Sequence, residues 1–217
     1  MIEAIITGFT LGILLAISIG PVIFAIIKQS LNNGHKAGLV FVAGVSFSDI
    51  LLVTICNLVS TFIEKALTHQ KAIGISGSVF LFVLGIYTLF FKKVSVDENG
   101  GLQEKTFNTK QYLGIFLAGF FMNILNPGVF IFWLAATLKV QSQIIGELHP
   151  VRYLFTVYIV CLGFVLITDI AKVILANKIR PKLTLHNLQL VNKISGVILL
   201  VFAVSLAWGA FNLSLKH

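Results

Sequence analysis

The chain has 217 residues, of which 57% are hydrophobic and 11% charged, and its mean hydropathy is +0.97. A water-soluble domain carries roughly one quarter charged residues, so this composition excludes water as the main solvent and points to a bilayer. The net charge of +8 would suit a nucleic-acid binder, but the basic residues fall between long apolar stretches, which makes them a membrane topology signal.

A spanning helix needs about 20 mostly apolar residues. Six stretches qualify: 4–27, 37–63, 72–91, 112–138, 151–176 and 194–215. The first starts at Met1-Ile2-Glu3 without a basic flank or a small-residue cleavage site, so it is expected to remain as a helix rather than be removed as a signal peptide. It contains Gly20-Pro21, and the second contains Gly38, Gly44, Ser46 and Asp49. The third ends at Lys92-Lys93 and is followed by the only linker-like run, 94–111, with Asp97-Glu98-Asn99-Gly100-Gly101 at its centre. Asn123 and Asn126-Pro127-Gly128 lie in the fourth, and Asp169 and Lys172 in the fifth.

Cys56 and Cys161 sit inside spans with no CxxC spacing and read as small core residues. All five histidines, His35, His69, His149, His186 and His217, fall in connections or at the terminus, so no metal ligand or proton relay is expected of them. The first, third and fifth connections hold ten basic residues: Lys28, Lys36, Lys92, Lys93, Lys105, Lys110, Lys178, Arg180, Lys182 and Lys193. The opposite side holds Lys65, Lys71, Lys139, Arg152 and Lys216, so the excess places the first set in the cytosol and both termini outside.

The two sides of the linker resemble each other. Gly8 to Pro21 reads GFTLGILLAISIGP and Gly114 to Pro127 reads GIFLAGFFMNILNP, with Gly and Pro equally separated. Ile75-Ser76-Gly77 recurs as Ile194-Ser195-Gly196, Leu81 matches Leu200, and Gly44 precedes Asp49 much as Gly163 precedes Asp169. Three pairs in the same order suggest duplication, and three spans per half force the second copy into the membrane upside down. The expected fold is therefore an all-α integral membrane protein of six transmembrane helices, arranged as two inverted three-helix repeats. It forms one transmembrane domain over 1–217, with a first repeat 1–93, a linker 94–111 and a second repeat 112–217.

A proline inside a span removes a backbone donor and clashes with the carbonyl four residues back. Pro21 and Pro127 should each kink or break their helix. The freed backbone groups then need protein, water or a solute, so the pair reads either as structural kinks or as a binding site. Asp49 and Asp169 are the two acidic residues within spans. A carboxylate at the bilayer centre costs from about 3 kcal/mol upward, so both should face the interior. Ser46, one turn before Asp49, can donate to it. Lys172, one turn after Asp169, can neutralise it, which fits a structural ion pair as well as a functional one.

These residues together resemble the LysE/RhtB family of bacterial amino-acid exporters. The chain shares its length, its six apolar stretches, the early Gly20-Pro21, the glycine-rich second span ending in Asp49 and the Asn126-Pro127 of the fourth. It departs from the family where Ile19 stands for the proline of Pro-Gly-Pro and where Gly128 stands for the lysine of Asn-Pro-Lys. The resemblance implies proton-coupled export of amino acids or related metabolites across the bacterial cytoplasmic membrane, with no enzymatic activity and no cofactor. Its partners would be a small-molecule substrate, the lipid bilayer, a coupling proton and, in a homo-oligomer, further copies of itself; no nucleic acid is expected. The expected substrate and ion site is Gly20, Pro21, Ser46, Asp49, Asn123, Asn126, Pro127, Asp169 and Lys172. A divalent-cation exporter of the same superfamily is the alternative, although one carboxylate per half is sparse ligation for a hard ion.

Overall fold

The computed structural model describes residues 1–17, 20–58, 70–91, 107–145, 147–180 and 185–212, and the regular structure in them is helical. In chain order the helices are α1 (Ile2–Ile17), α2 (Pro21–Asn33), α3 (His35–Leu58), α4 (Gln70–Ile86), α5 (Thr109–Ile124), α6 (Pro127–Gln143), α7 (Pro150–Ile179) and α8 (Leu185–Asn212). A π-helical turn, Tyr87–Phe91, continues α4. Most of the expected linker, 94–106, lies outside the described residues, as do Ile19, the segment 59–63 of the second expected span, and Lys65, Lys92, Lys93, Lys105, Lys182 and Lys216.

Local chemistry sets the helix starts. Proline opens α2, α6 and α7, where its missing N–H would have had no intrahelical partner. Asn108 and Gln111 form a reciprocal capping box at α5, each backbone N–H donating to the other's side-chain oxygen at 2.9 Å. Gly34, at φ 86°, ends α2 in a conformation that a side chain would strain, and α3 begins at the next residue.

Among the described residues three helices are long and apolar enough to cross a bilayer singly: α3, α7 and the 189–209 portion of α8. The α1–α2 and α5–α6 pairs qualify as single spans bent by 69° and 62°, which makes up to five by length and composition. The third expected span falls on α4 and the π-helical turn that continues it, where the described apolar helix Ser78–Phe90 is shorter than the spans above. Both bends sit at the expected prolines. Each proline opens a new helix at an abrupt turn rather than bending a continuous one, because Gly20 and Asn126 before them take extended backbone conformations.

The closest helix pairs are α1 with α7, α3 with α5, and α4 with α8. Glycines make this possible. A Cβ on Gly8 or Gly12 would press on the Val157 or Cys161 carbonyl of α7, one on Gly44 would overlap the Phe116 carbonyl of α5, and one on Gly119 would overlap that of Phe41. In a membrane such backbone approach supplies the dispersion contact that holds helices together. Aromatic rings fill the flanks, with Phe9 against Phe164 at 4.7 Å and Phe47 against Phe116 at 6.0 Å. Outward faces carry large apolar side chains such as Ile6, Leu14, Phe47, Ile50, Phe155 and Ile167, as a lipid-facing surface requires.

The helices extend beyond the expected spans. Lys28, read from the sequence as a loop charge, is buried within α2, because the bend turns that helix back into the protein. α8 begins nine residues earlier than the apolar stretch, at 185 rather than 194. The added polar turns bury Asn192, whose amide pairs with that of Asn32, Nδ2 of Asn32 donating to Oδ1 of Asn192 at 2.7 Å.

Candidate functional site

The two helix breaks lie on one cavity of about 170 Å³. Gly20, Pro21 and Val22 bring the N-terminus of α2 to it, and Asn126, Gly128 and Val129 bring that of α6. The breaks nearly touch, since a Cβ on Gly20 would stand 3.7 Å from Asn126 Nδ2. Helix N-termini expose unpaired N–H groups and the positive end of the helix dipole, so two converging on one space create a field that favours an anionic group.

Asp49 projects from the middle of α3 and is 2% exposed. Its Oδ1 accepts from Asn123 Nδ2 at 2.8 Å and from Trp133 Nε1 at 2.9 Å. Neither donor is adjustable. Asn123 Nδ2 also donates to Ser48 Oγ at 2.7 Å, and Ser48 donates to the Val45 carbonyl within α3. Trp133 is fully buried among Phe132 and Tyr158. Among the described residues, Oδ2 of Asp49 has no protein donor. Asp169 of α7 meets the same cavity and holds Lys172 Nζ at 2.7 Å through Oδ1, while Nζ also donates to the Ala16 carbonyl at 3.3 Å. That carbonyl belongs to the last turn of α1, so Lys172 covers one of the acceptors freed by the first break.

Of the nine residues expected from the sequence, Gly20, Pro21, Asp49, Asn123, Asn126, Asp169 and Lys172 line this cavity. Pro127 begins α6 beside it. Ser46 is a correction: it is only half-buried and outside the lining, and Ser48 supplies the hydroxyl of the Asp49 network. A hydroxyl one turn away was the expectation from helix spacing, but Asn123, reaching across from α5, selects the residue facing it. The amide of Asn123 is committed to Asp49 and Ser48 and orients the carboxylate. Asn126 has its oxygen on Gly128 N at 3.0 Å, which leaves its Nδ2 for the cavity. Trp133 was missed. The signal was available, since an indole N–H deep in an apolar helix must find an acceptor.

Among the described residues no three His, Cys, Asp or Glu side chains come together. The cavity's two carboxylates, one of them held by an ammonium, are a poor donor set for a hard divalent cation.

A helical membrane protein with two broken helices around an internal, charged cavity belongs to the class of solute transporters. The LysE type translocator family matches residues 13–209, and the chain belongs to it. The family is one of membrane translocators rather than enzymes, and membership implies export of amino acids or related compounds. No curated protein and no solved structure matches the chain.

Proposed function

We propose that the protein is a proton-coupled exporter of amino acids or similar zwitterions, working by alternating access in the bacterial cytoplasmic membrane. The observation that carries this reading is the single cavity shared by two half-helix N-termini, Asp49, and the Asp169–Lys172 pair. The solute's carboxylate would meet the N-termini of α2 and α6 and Asn126 Nδ2. Its amine, or the coupling proton, would meet Oδ2 of Asp49. Lys172 would act as a gate, leaving and regaining Asp169 as the two sides exchange access.

Six spans in two inverted repeats, 1–93 and 112–217 joined by the linker 94–111, complete the proposal. The packing supports it. The first helix of each half lies on the second span of the other, α1 on α7 and α5 on α3, and the third spans α4 and α8 lie on each other. A two-fold axis relating the halves generates that set of pairs, and three spans per half would lay that axis in the membrane plane. The orientation, with connections one, three and five cytosolic, rests on the excess of basic residues in those connections, Lys36, Lys110, Lys178 and Lys193 among them. Metabolite-resolved efflux from loaded vesicles, with and without an imposed proton gradient, tests the function. Gradient-stimulated release of an amino acid is expected. Release indifferent to the gradient, or confined to divalent cations, would overturn the reading.

A further inference from the structure

A second cavity, of about 370 Å³, opens between α2, the π-helical turn and α5. Lys28 is on its wall and is 8% exposed. Its Nζ donates to Thr88 Oγ1 at 2.9 Å, and no carboxylate among the described residues reaches it. A buried ammonium satisfied by one hydroxyl has two further donors and an uncompensated charge, an arrangement that a bound anion would stabilise. The side-chain amides of Gln29 and Asn33 share this wall and have no protein partners among the described residues. Thr88 lies within the π turn, whose extra residue per turn re-aims side chains and which recurs at functional sites. On the opposite wall Gly114 leaves the space open, with nothing within 4 Å of where its Cβ would stand.

The two cavities are neighbours on the same helices. Val22, Ile23 and Ile26 of α2 face the central one, whereas Ala25, Lys28 and Gln29 face the second. On α5, Asn123 faces the central cavity and Met122, Ala118 and Gly114 the second. Between them stands an apolar layer that includes Ala25, Phe41 and Met122.

We propose that this second cavity is a carboxylate-recognition site, in which Lys28, Gln29 and Asn33 take the solute's carboxylate before the solute crosses the apolar layer to the central cavity. The assignment of the ligand to the transported solute rests on the exporter reading; the carboxylate chemistry rests on the cavity alone. Binding is therefore measured apart from transport. The unfolding temperature of the purified protein in nanodiscs of neutral lipid is followed against acetate, glycine and glycinamide, with ionic strength held by chloride. Acetate and glycine should stabilise it saturably and glycinamide should not, because a ligand that binds only the folded state raises its stability by mass action. Lys28→Gln removes the charge and leaves an amide donor on the side of Thr88, and Gly114→Leu puts a bulky side chain into the open space on the opposite wall. Each should weaken the acetate response by about tenfold or more. An equal acetate response in Lys28→Gln, or none in the unmodified protein, would overturn the proposal. So would stabilisation by anionic lipid that acetate cannot reproduce and Lys28→Gln abolishes, which would assign the cavity to a phospholipid headgroup. Failure of efflux alongside an intact acetate response would count against the exporter reading and not against the carboxylate site.

Discussion

Replacing Asp49 by Asn separates folding from function. The Asn carbonyl has two lone pairs and can take the place of Oδ1, so the bonds from Asn123 Nδ2 at 2.8 Å and Trp133 Nε1 at 2.9 Å both persist. Bonds to a charged acceptor contribute about 1.5–3 kcal/mol each and neutral ones about 0.5–1.5, so roughly 2–3 kcal/mol is lost over the pair. Against this, a carboxylate at membrane depth costs about 3 kcal/mol or more to bury, a cost the amide largely avoids. The two terms nearly cancel, and the folded yield of Asp49→Asn should stay within about 1 kcal/mol of the unmodified protein. Transport has no such compensation, since Oδ2 is replaced by an amide that neither takes a proton nor pairs with an amine. Efflux normalised to folded protein in the membrane should collapse. Near-normal efflux would remove Asp49 from the mechanism, and loss of folded protein in step with efflux would show the energy balance to be wrong.

Asp169→Asn should destabilise the protein by about 2 kcal/mol, below the 3–5 kcal/mol of a fully buried pair, because the Lys172 side chain is 22% exposed and keeps the Ala16 carbonyl; adding Lys172→Met should restore part of the loss in a thermal unfolding assay. Trp133→Phe removes one donor from Asp49 and leaves a gap, so a stability loss of about 1–3 kcal/mol with reduced efflux is expected, and unchanged unfolding would show that the indole bond contributes nothing. Gly44→Ala should separate α3 from α5 and cost about 1–3 kcal/mol or more, read as a lower unfolding temperature; an unshifted one would contradict the close backbone packing. Single cysteines in the 94–111 linker should react with a membrane-impermeant reagent only from the cytosolic side, and labelling from outside alone would reverse the orientation.

Much of the site was legible because the membrane makes certain residues conspicuous. Pro21, Pro127, Asp49, Asp169 and Lys172 are costly inside apolar stretches, and cost of that kind marks a residue whatever the tertiary arrangement. Hidden residues were those whose role depends on a neighbour distant in sequence. Ser48 rather than Ser46 meets Asn123, 75 residues away, and no helical periodicity within α3 can rank the two. Lys28 looked like a loop charge because hydropathy follows the chain as though it ran straight, whereas the 69° bend carries the end of α2 back into the protein. The early start of α8 escaped for a related reason: Asn192 is polar along the sequence but satisfied in space by Asn32.

The glycine contacts described above divide the molecule differently from its sequence. Gly8 and Gly12 weld α1 to α7, and Gly44 and Gly119 weld α3 to α5, so each weld joins a helix from before the linker to one from after it. Neither half of the chain can cover its own glycine faces. A fragment ending at the linker would leave grooved helices with no partner of matching shape, whereas two fragments made together in one cell could find each other and rebuild both welds. In the alternating access proposed above, the stiff bodies would be these mixed pairs, with the chain crossing from one to the other at each break.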